Sequence, residues 1–122
     1  MVKILIIDDS LFQQKILTGI LKEAGYDVVC AENGKDGLEY AEKEKPDVVI
    51  TDLLMPEFDG FFLLESMKAK IERVPVIIIT SDIQDSTRKR CTTLGAAGFL
   101  NKPVKKETLL PAIKKVLAGE RQ

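Results

Sequence analysis

A chain of 122 residues, 45% of them apolar, suits one domain whose core needs neither disulfides nor a metal to hold it together. Eighteen lysines and arginines against 19 aspartates and glutamates leave a formal charge of −1, which argues against a dedicated nucleic-acid binder with its strong basic field. There is no histidine, which excludes Ser-His-Asp and Cys-His catalysis and most transition-metal sites.

The first residues run straight into a short apolar segment, 4–7, too short for a signal peptide or a membrane span. The cytoplasm is the expected compartment. A helix-period stretch follows, with Ile16, Leu17, Ile20, Leu21 and Ala24 on one face and Gly25 where a helix C-terminal glycine belongs. Residues 28–31 form a second apolar run, and 48–50 a third after Pro46. Leu63, Leu64, Met67 and Ile71 then recur at helical spacing, and Pro75 leads into the run 76–79. Gly95 closes another helix before a weaker run at 96–100. The last helix carries Leu109, Ile113, Val116 and Leu117. Pro111 falls inside it, so that helix either starts late, near Glu107, or kinks. Cys30 and Cys91 are too few and too far apart for a disulfide framework or a zinc site, and two buried reduced thiols are expected.

The apolar runs are rich in β-branched residues and too short for helices, as strands buried on both faces are. Five strands alternating with five helices must be parallel, and right-handed crossovers then give a doubly wound three-layer α/β sandwich spanning 1–122 as one domain.

Ligands of such sheets bind at the carboxyl ends of the strands, near the point where winding reverses. Those ends carry Asp8-Asp9, Asp52, Thr80-Ser81 and Lys102-Pro103. With the first and third strands adjacent there, three carboxylates, a hydroxyl and an ammonium meet at one edge. Three close carboxylates repel one another, and Lys102 alone does not balance them. A hard divalent ion does, and Mg²⁺ suits two carboxylates, one main-chain carbonyl and waters. A carboxylate beside metal, lysine and hydroxyl is arranged as a nucleophile for phosphoryl transfer. Taken singly, each residue has a plainer explanation. Asp8, Asp9 and Ser10 precede a helix and can cap it, as can Thr80, Ser81 or Asp82, and Asp52 can be a turn residue. Their concurrence at one edge favours the functional explanation.

From Ile4-Leu5-Ile6-Ile7-Asp8-Asp9-Ser10, through Thr51-Asp52-Leu53-Leu54-Met55-Pro56, Asp59-Gly60 and Ile79-Thr80-Ser81, to Phe99-Leu100-Asn101-Lys102-Pro103, the sequence resembles the CheY-like receiver domains of two-component response regulators over nearly its whole length. The resemblance implies a flavodoxin-like sheet in the order 2-1-3-4-5. It implies that Asp52 takes a phosphoryl group from a phosphohistidine of a sensor kinase or phosphotransfer protein. Asp9, Asp52 and the Leu54 main-chain carbonyl would hold Mg²⁺ directly, and Asp8 through water. Lys102 would contact a phosphoryl oxygen, Thr80 would turn toward the phosphoryl group, and Phe99 would follow inward. The fourth helix, fifth strand and fifth helix would then present an altered surface to a downstream protein or to a second copy of the chain. The first helix would dock the kinase, and the Lys102–Pro103 peptide would be cis. Neither nucleic acid nor membrane is an expected partner. The protein is expected to be a switch that assists its own Mg²⁺-dependent phosphorylation and dephosphorylation, not an enzyme acting on others.

Leu54 and Asp82, each two residues beyond a site residue, stand where the family tunes water access to the acyl phosphate. Leu54 cannot hold a water; Asp82 can orient or repel one. Of the adjacent Phe61 and Phe62, one is expected to point outward. Arg88, Lys89, Arg90, Lys105, Lys106, Lys114 and Lys115 read as a solvated basic face or as the signalling surface. Two rivals remain. A flavodoxin-like cofactor binder needs a hydroxyl- and glycine-rich loop where Asp8-Asp9-Ser10 stands. A phosphate-independent receiver-fold scaffold or interaction module would keep the site without using it.

Overall fold

Alternate residues of each buried strand point to opposite faces of the sheet, and the core divides accordingly. In the computed structural model, which describes residues 1–55, 58–70 and 74–119, the elements follow in the order β1 (Lys3–Ile7), α1 (Leu11–Glu23), β2 (Asp27–Ala31), α2 (Gly34–Glu44), β3 (Val48–Asp52), α3 (Gly60–Lys70), β4 (Val76–Thr80), α4 (Asp85–Thr93), β5 (Gly98–Asn101) and α5 (Lys106–Leu117). Leu5, Ile7, Val49 and Ile78 meet Leu38, Leu63 and Met67 on one side of the sheet, under α2 and α3. Ile4, Ile6, Ile50, Ile77 and Ile79 meet Leu17, Leu21, Leu109 and Ile113 on the other, under α1 and α5. The parallel sheet has the order β2-β1-β3-β4-β5, as expected, with winding reversed between β1 and β3.

The helix ends follow local chemistry. Gly25 and Gly95 adopt φ of +92° and +102°, and the Gly25 N–H reaches the Lys22 carbonyl at 3.0 Å, closing α1 as a helix-terminal glycine does. The Ser10 hydroxyl caps α1 by accepting the Gln13 N–H at 3.2 Å. Pro111 sits in the second turn of α5 on its exposed side; the carbonyl it leaves without an N–H four residues back belongs to Glu107, itself an exposed residue of the first turn. Gly119 closes α5 as Gly25 closes α1: its N–H meets the Val116 carbonyl at 3.0 Å, with φ +84°.

Several expectations need correction. Cys91 is buried, but Cys30 is exposed, because β2 is an edge strand with only partial cover. Ile16 and Ala24 are exposed, which narrows the inward stripe of α1 to Gln14, Leu17 and Leu21, with Ile20 partly buried beside them. Ala96 and Ala97 are buried but precede β5, which begins at Gly98. Ile71 and Pro56 lie outside the described residues.

Candidate functional site

Strand register sets the site. Ile7 pairs with Thr51, so the next step along both strands brings Asp8 level with Asp52 at the reversal point. Carboxylate oxygens of Asp8, Asp9 and Asp52 lie within 4.8 Å of one another. The Lys102 ammonium donates to Asp52 Oδ2 at 3.0 Å, and both side chains are largely withdrawn from solvent. Lys102 is held at that edge by its own N–H, which reaches the Thr80 carbonyl at 2.9 Å, and the Lys102–Pro103 peptide is cis.

Asp8 is buried, at 2% exposure, whereas Asp9 is open to solvent. Burial pushes the Asp8 carboxyl above the usual carboxylate range. The charges of Asp52 and Asp9 add to this, against the opposing pull of the Ser10 N–H and Lys102. The cluster thus carries an electrostatic strain that a hard cation relieves, and its donors are all carboxylate oxygens of the kind Mg²⁺ prefers. The donor chemistry fits. Capping and site chemistry coexist at this loop: Asp8 Oδ1 accepts the Ser10 N–H at 2.9 Å while Ser10 caps α1.

Across the pocket, Thr80 is buried and its hydroxyl accepts the Asp82 N–H at 3.2 Å. Asp82 itself organises the start of α4. Its Oδ1 takes the Gln84 N–H at 2.8 Å and its Oδ2 the Thr87 hydroxyl at 2.7 Å. Those two bonds, the Gln84 N–H first, hold its carboxyl below the usual range. None of the three residues expected as caps there is the N-cap of α4, which is Gln84; Asp82 instead braces the entry to the helix from two residues before it. Asn101 ties the same loop to β5, donating to the Asp82 carbonyl at 2.8 Å and the Thr80 carbonyl at 3.3 Å.

Phe99 is packed in the core at 8% exposure, with the Arg88 guanidinium 5.7 Å from its ring centroid. Phe62 points outward, at 55% exposure, and touches Phe58 edge-on. Phe61 packs inward. The Arg90 guanidinium stacks on it at 3.8 Å, joining α4 to α3, while Arg90 remains exposed with its basic neighbours Arg88 and Lys89. Leu54 is 66% exposed at the rim, sharing with Asp82 and Phe61 a cleft of about 230 Å³.

Sequence reasoning passed over Gln14, Asn101 and the Arg90–Phe61 stack. Gln14 carried a signal, since a polar residue at 14 shares a helix face with Leu17 and Leu21. Asn101 and Arg90 gave none, because their partners are distant in sequence.

A doubly wound five-stranded parallel sheet in this order, with an acidic triad and a lysine at the carboxyl ends of its strands, defines the CheY-like class of α/β domains. Within that class, this chain belongs to the response regulator receiver domain family, whose model matches residues 4–114. It is 43% identical over 121 residues to protein PilH of Pseudomonas aeruginosa, covering 98% of this chain and 100% of that one. It is 34% identical to the chemotaxis protein CheY of Listeria monocytogenes over 116 residues, covering 94% and 98%. Among solved structures, a receiver domain protein from Clostridium thermocellum superposes with a TM-score of 0.92 at 30% identity, covering 98% of this chain and 96% of that one. Chemotaxis protein CheY4 of Vibrio cholerae gives 0.88 at 32%, covering 95% and 98%. Among the described residues, no helix is long and apolar enough to cross a membrane.

Proposed function

We propose that Asp52 is the phosphoacceptor of a two-component switch, receiving its phosphoryl group from a phosphohistidine on a sensor kinase or phosphotransfer protein. The observation that carries this reading is the Lys102 ammonium at 3.0 Å from Asp52 Oδ2, set against a triad of carboxylates within 4.8 Å. Asp52 Oδ attacks phosphorus as the N–P bond of the donor breaks and the imidazole nitrogen keeps the electron pair. Lys102 then moves its charge from the Asp52 carboxylate to a phosphoryl oxygen, which positions and neutralises the transferred group. Asp9, Asp52 and the Leu54 carbonyl are the residues that would hold Mg²⁺, with Asp8 in reserve through a water. Bound there, the ion supplies Lewis-acid neutralisation of the phosphoryl charge.

The switch follows from the same groups. A phosphoryl group adds strong acceptor oxygens at one edge, and the Thr80 hydroxyl is the buried donor on the neighbouring strand. Thr80 pairs in register with Asn101, two residues beyond Phe99, so a shift of Thr80 reaches the face made by α4, β5 and α5. That face would meet a downstream protein or a second copy of the chain.

Incubation with acetyl phosphate and Mg²⁺ tests the assignment. One phosphoryl group should appear by intact mass, vanish in Asp52→Asn, and require the metal. Labelling that survives Asp52→Asn, or labelling unaffected by chelation, contradicts it. Beryllofluoride with Mg²⁺ should move the Phe99 ring signals, whereas silence there favours the scaffold.

A further inference from the structure

Among the described residues, four polar side chains are buried, and all four converge on the acidic edge. Asp8 and Thr80 belong to the pocket. The Thr51 hydroxyl donates to the Asp52 carbonyl at 3.0 Å. The fourth, Gln14, is 8% exposed on the inward face of α1, and its Nε2 donates to the Asp8 carbonyl at 2.7 Å. A buried amide is costly unless hydrogen-bonded, and an apolar residue is the default on a helix face shared with Leu17 and Leu21.

We propose that Gln14 is a positioning residue for the acid pair: it fixes the peptide between Asp8 and Asp9, and so the direction in which Asp9 enters the Mg²⁺ pocket. This rests on the reading of that pocket given above. The Asp8 carbonyl and the Asp9 N–H belong to one rigid plane, so holding the carbonyl sets the rotation of the plane. The preceding peptide is held from the other side, since the Asp8 N–H donates to the Ala31 carbonyl at 3.1 Å. The Asp8 side chain is spoken for by the Ser10 N–H. Asp9 is exposed, and Gln14 supplies from α1 the constraint that neighbouring strands give Asp52. Groups that orient metal ligands in this indirect way are worth roughly ten- to a hundredfold in affinity; one acting through backbone belongs at the lower end.

Calorimetric titration with Mg²⁺ decides the matter, using the wild-type chain and three variants. Gln14→Met keeps the shape and removes the donor, and it should weaken binding about tenfold. Gln14→Glu also removes the donor but adds a negative charge, which on electrostatics alone would tighten binding; weakening here too identifies positioning. Val116→Ala, a core truncation in α5, should lower stability and leave Mg²⁺ affinity unchanged. In the unmutated protein the Gln14 side-chain amide protons should exchange more slowly than those of the less buried Gln13 and shift on adding Mg²⁺. Unchanged affinity in Gln14→Met, tighter binding in Gln14→Glu, equal weakening in Val116→Ala, or Gln14 exchange as fast as Gln13 would each overturn the proposal. A wild-type chain that binds no Mg²⁺ overturns the pocket reading itself, and the proposal with it.

Discussion

Neutralising Asp8 should stabilise the metal-free protein and weaken its response to Mg²⁺. The Asp8 carboxylate is buried, with oxygens of Asp52 and Asp9 within 4.8 Å. At that spacing two unit charges repel by about 3.5 kcal/mol at an effective dielectric near 20, and by about 0.9 kcal/mol in water. Asp9 is exposed, so its share falls near the lower figure; the Lys102 ammonium beside Asp52 cancels much of the higher one. Asn at position 8 keeps an oxygen for the Ser10 N–H, so little is lost in exchange. The net gain for Asp8→Asn should be about 1–2 kcal/mol, as expected where function maintains a strained site. Urea unfolding in chelator and in saturating Mg²⁺ provides the assay. The wild type should gain about 2.7 kcal/mol when the ion is present at a hundred times its dissociation constant, and Asp8→Asn far less. An Asp8→Asn protein less stable than wild type in chelator would refute the electrostatic reasoning.

Three further outcomes follow from individual residues. Leu54, exposed at the rim and unable to hold a water, should slow loss of the phosphoryl group; Leu54→Asn should hydrolyse faster, and an unchanged or slower rate ends that idea. A methyl at Gly60 would sit 2.9 Å from the Leu53 Cα and 3.2 Å from the Asp52 carbonyl, both backbone. Gly60→Ala should therefore cost about 1–3 kcal/mol from overpacking, offset in part by up to about 1 kcal/mol of helix propensity. It should also weaken Mg²⁺ binding, and a variant as stable as wild type would contradict the close approach of α3 to β3. Burial pushes the Cys91 thiol up to about 11 from 9.0. Its folded value exceeds its unfolded one, so its contribution is complete below pH 9 and is lost as pH rises toward 11. Stability of the wild type should fall more steeply than that of Cys91→Ala across that window, and parallel curves would contradict the shift.

The site was legible in the sequence because strand ends in a doubly wound sheet are fixed by where apolar runs stop. Asp8, Asp52, Thr80 and Lys102 each follow such a run, so their meeting needed no knowledge of side-chain positions. What escaped was set by cover and by distant partners. Cys30 reads as core because β2 is apolar, but an edge strand has one neighbour and less helix above it. Ile16 continues the apolar stripe of α1, yet that helix covers the sheet with a narrower face. The stacking of Arg90 on Phe61 joins two helices, and no local pattern announces it. Asp82 reads from the sequence as a group for handling water; that its two oxygens also brace the start of α4 depends on the loop's geometry, which the sequence does not show.

A crystal grown with Mn²⁺ in place of Mg²⁺ bears most directly on the account. It should give one strong anomalous peak between the carboxylates of Asp9 and Asp52 and the main-chain carbonyl of Leu54, with Asp8 reaching it through water. A saturated crystal with no peak there, or with the ion held by other residues, would contradict it.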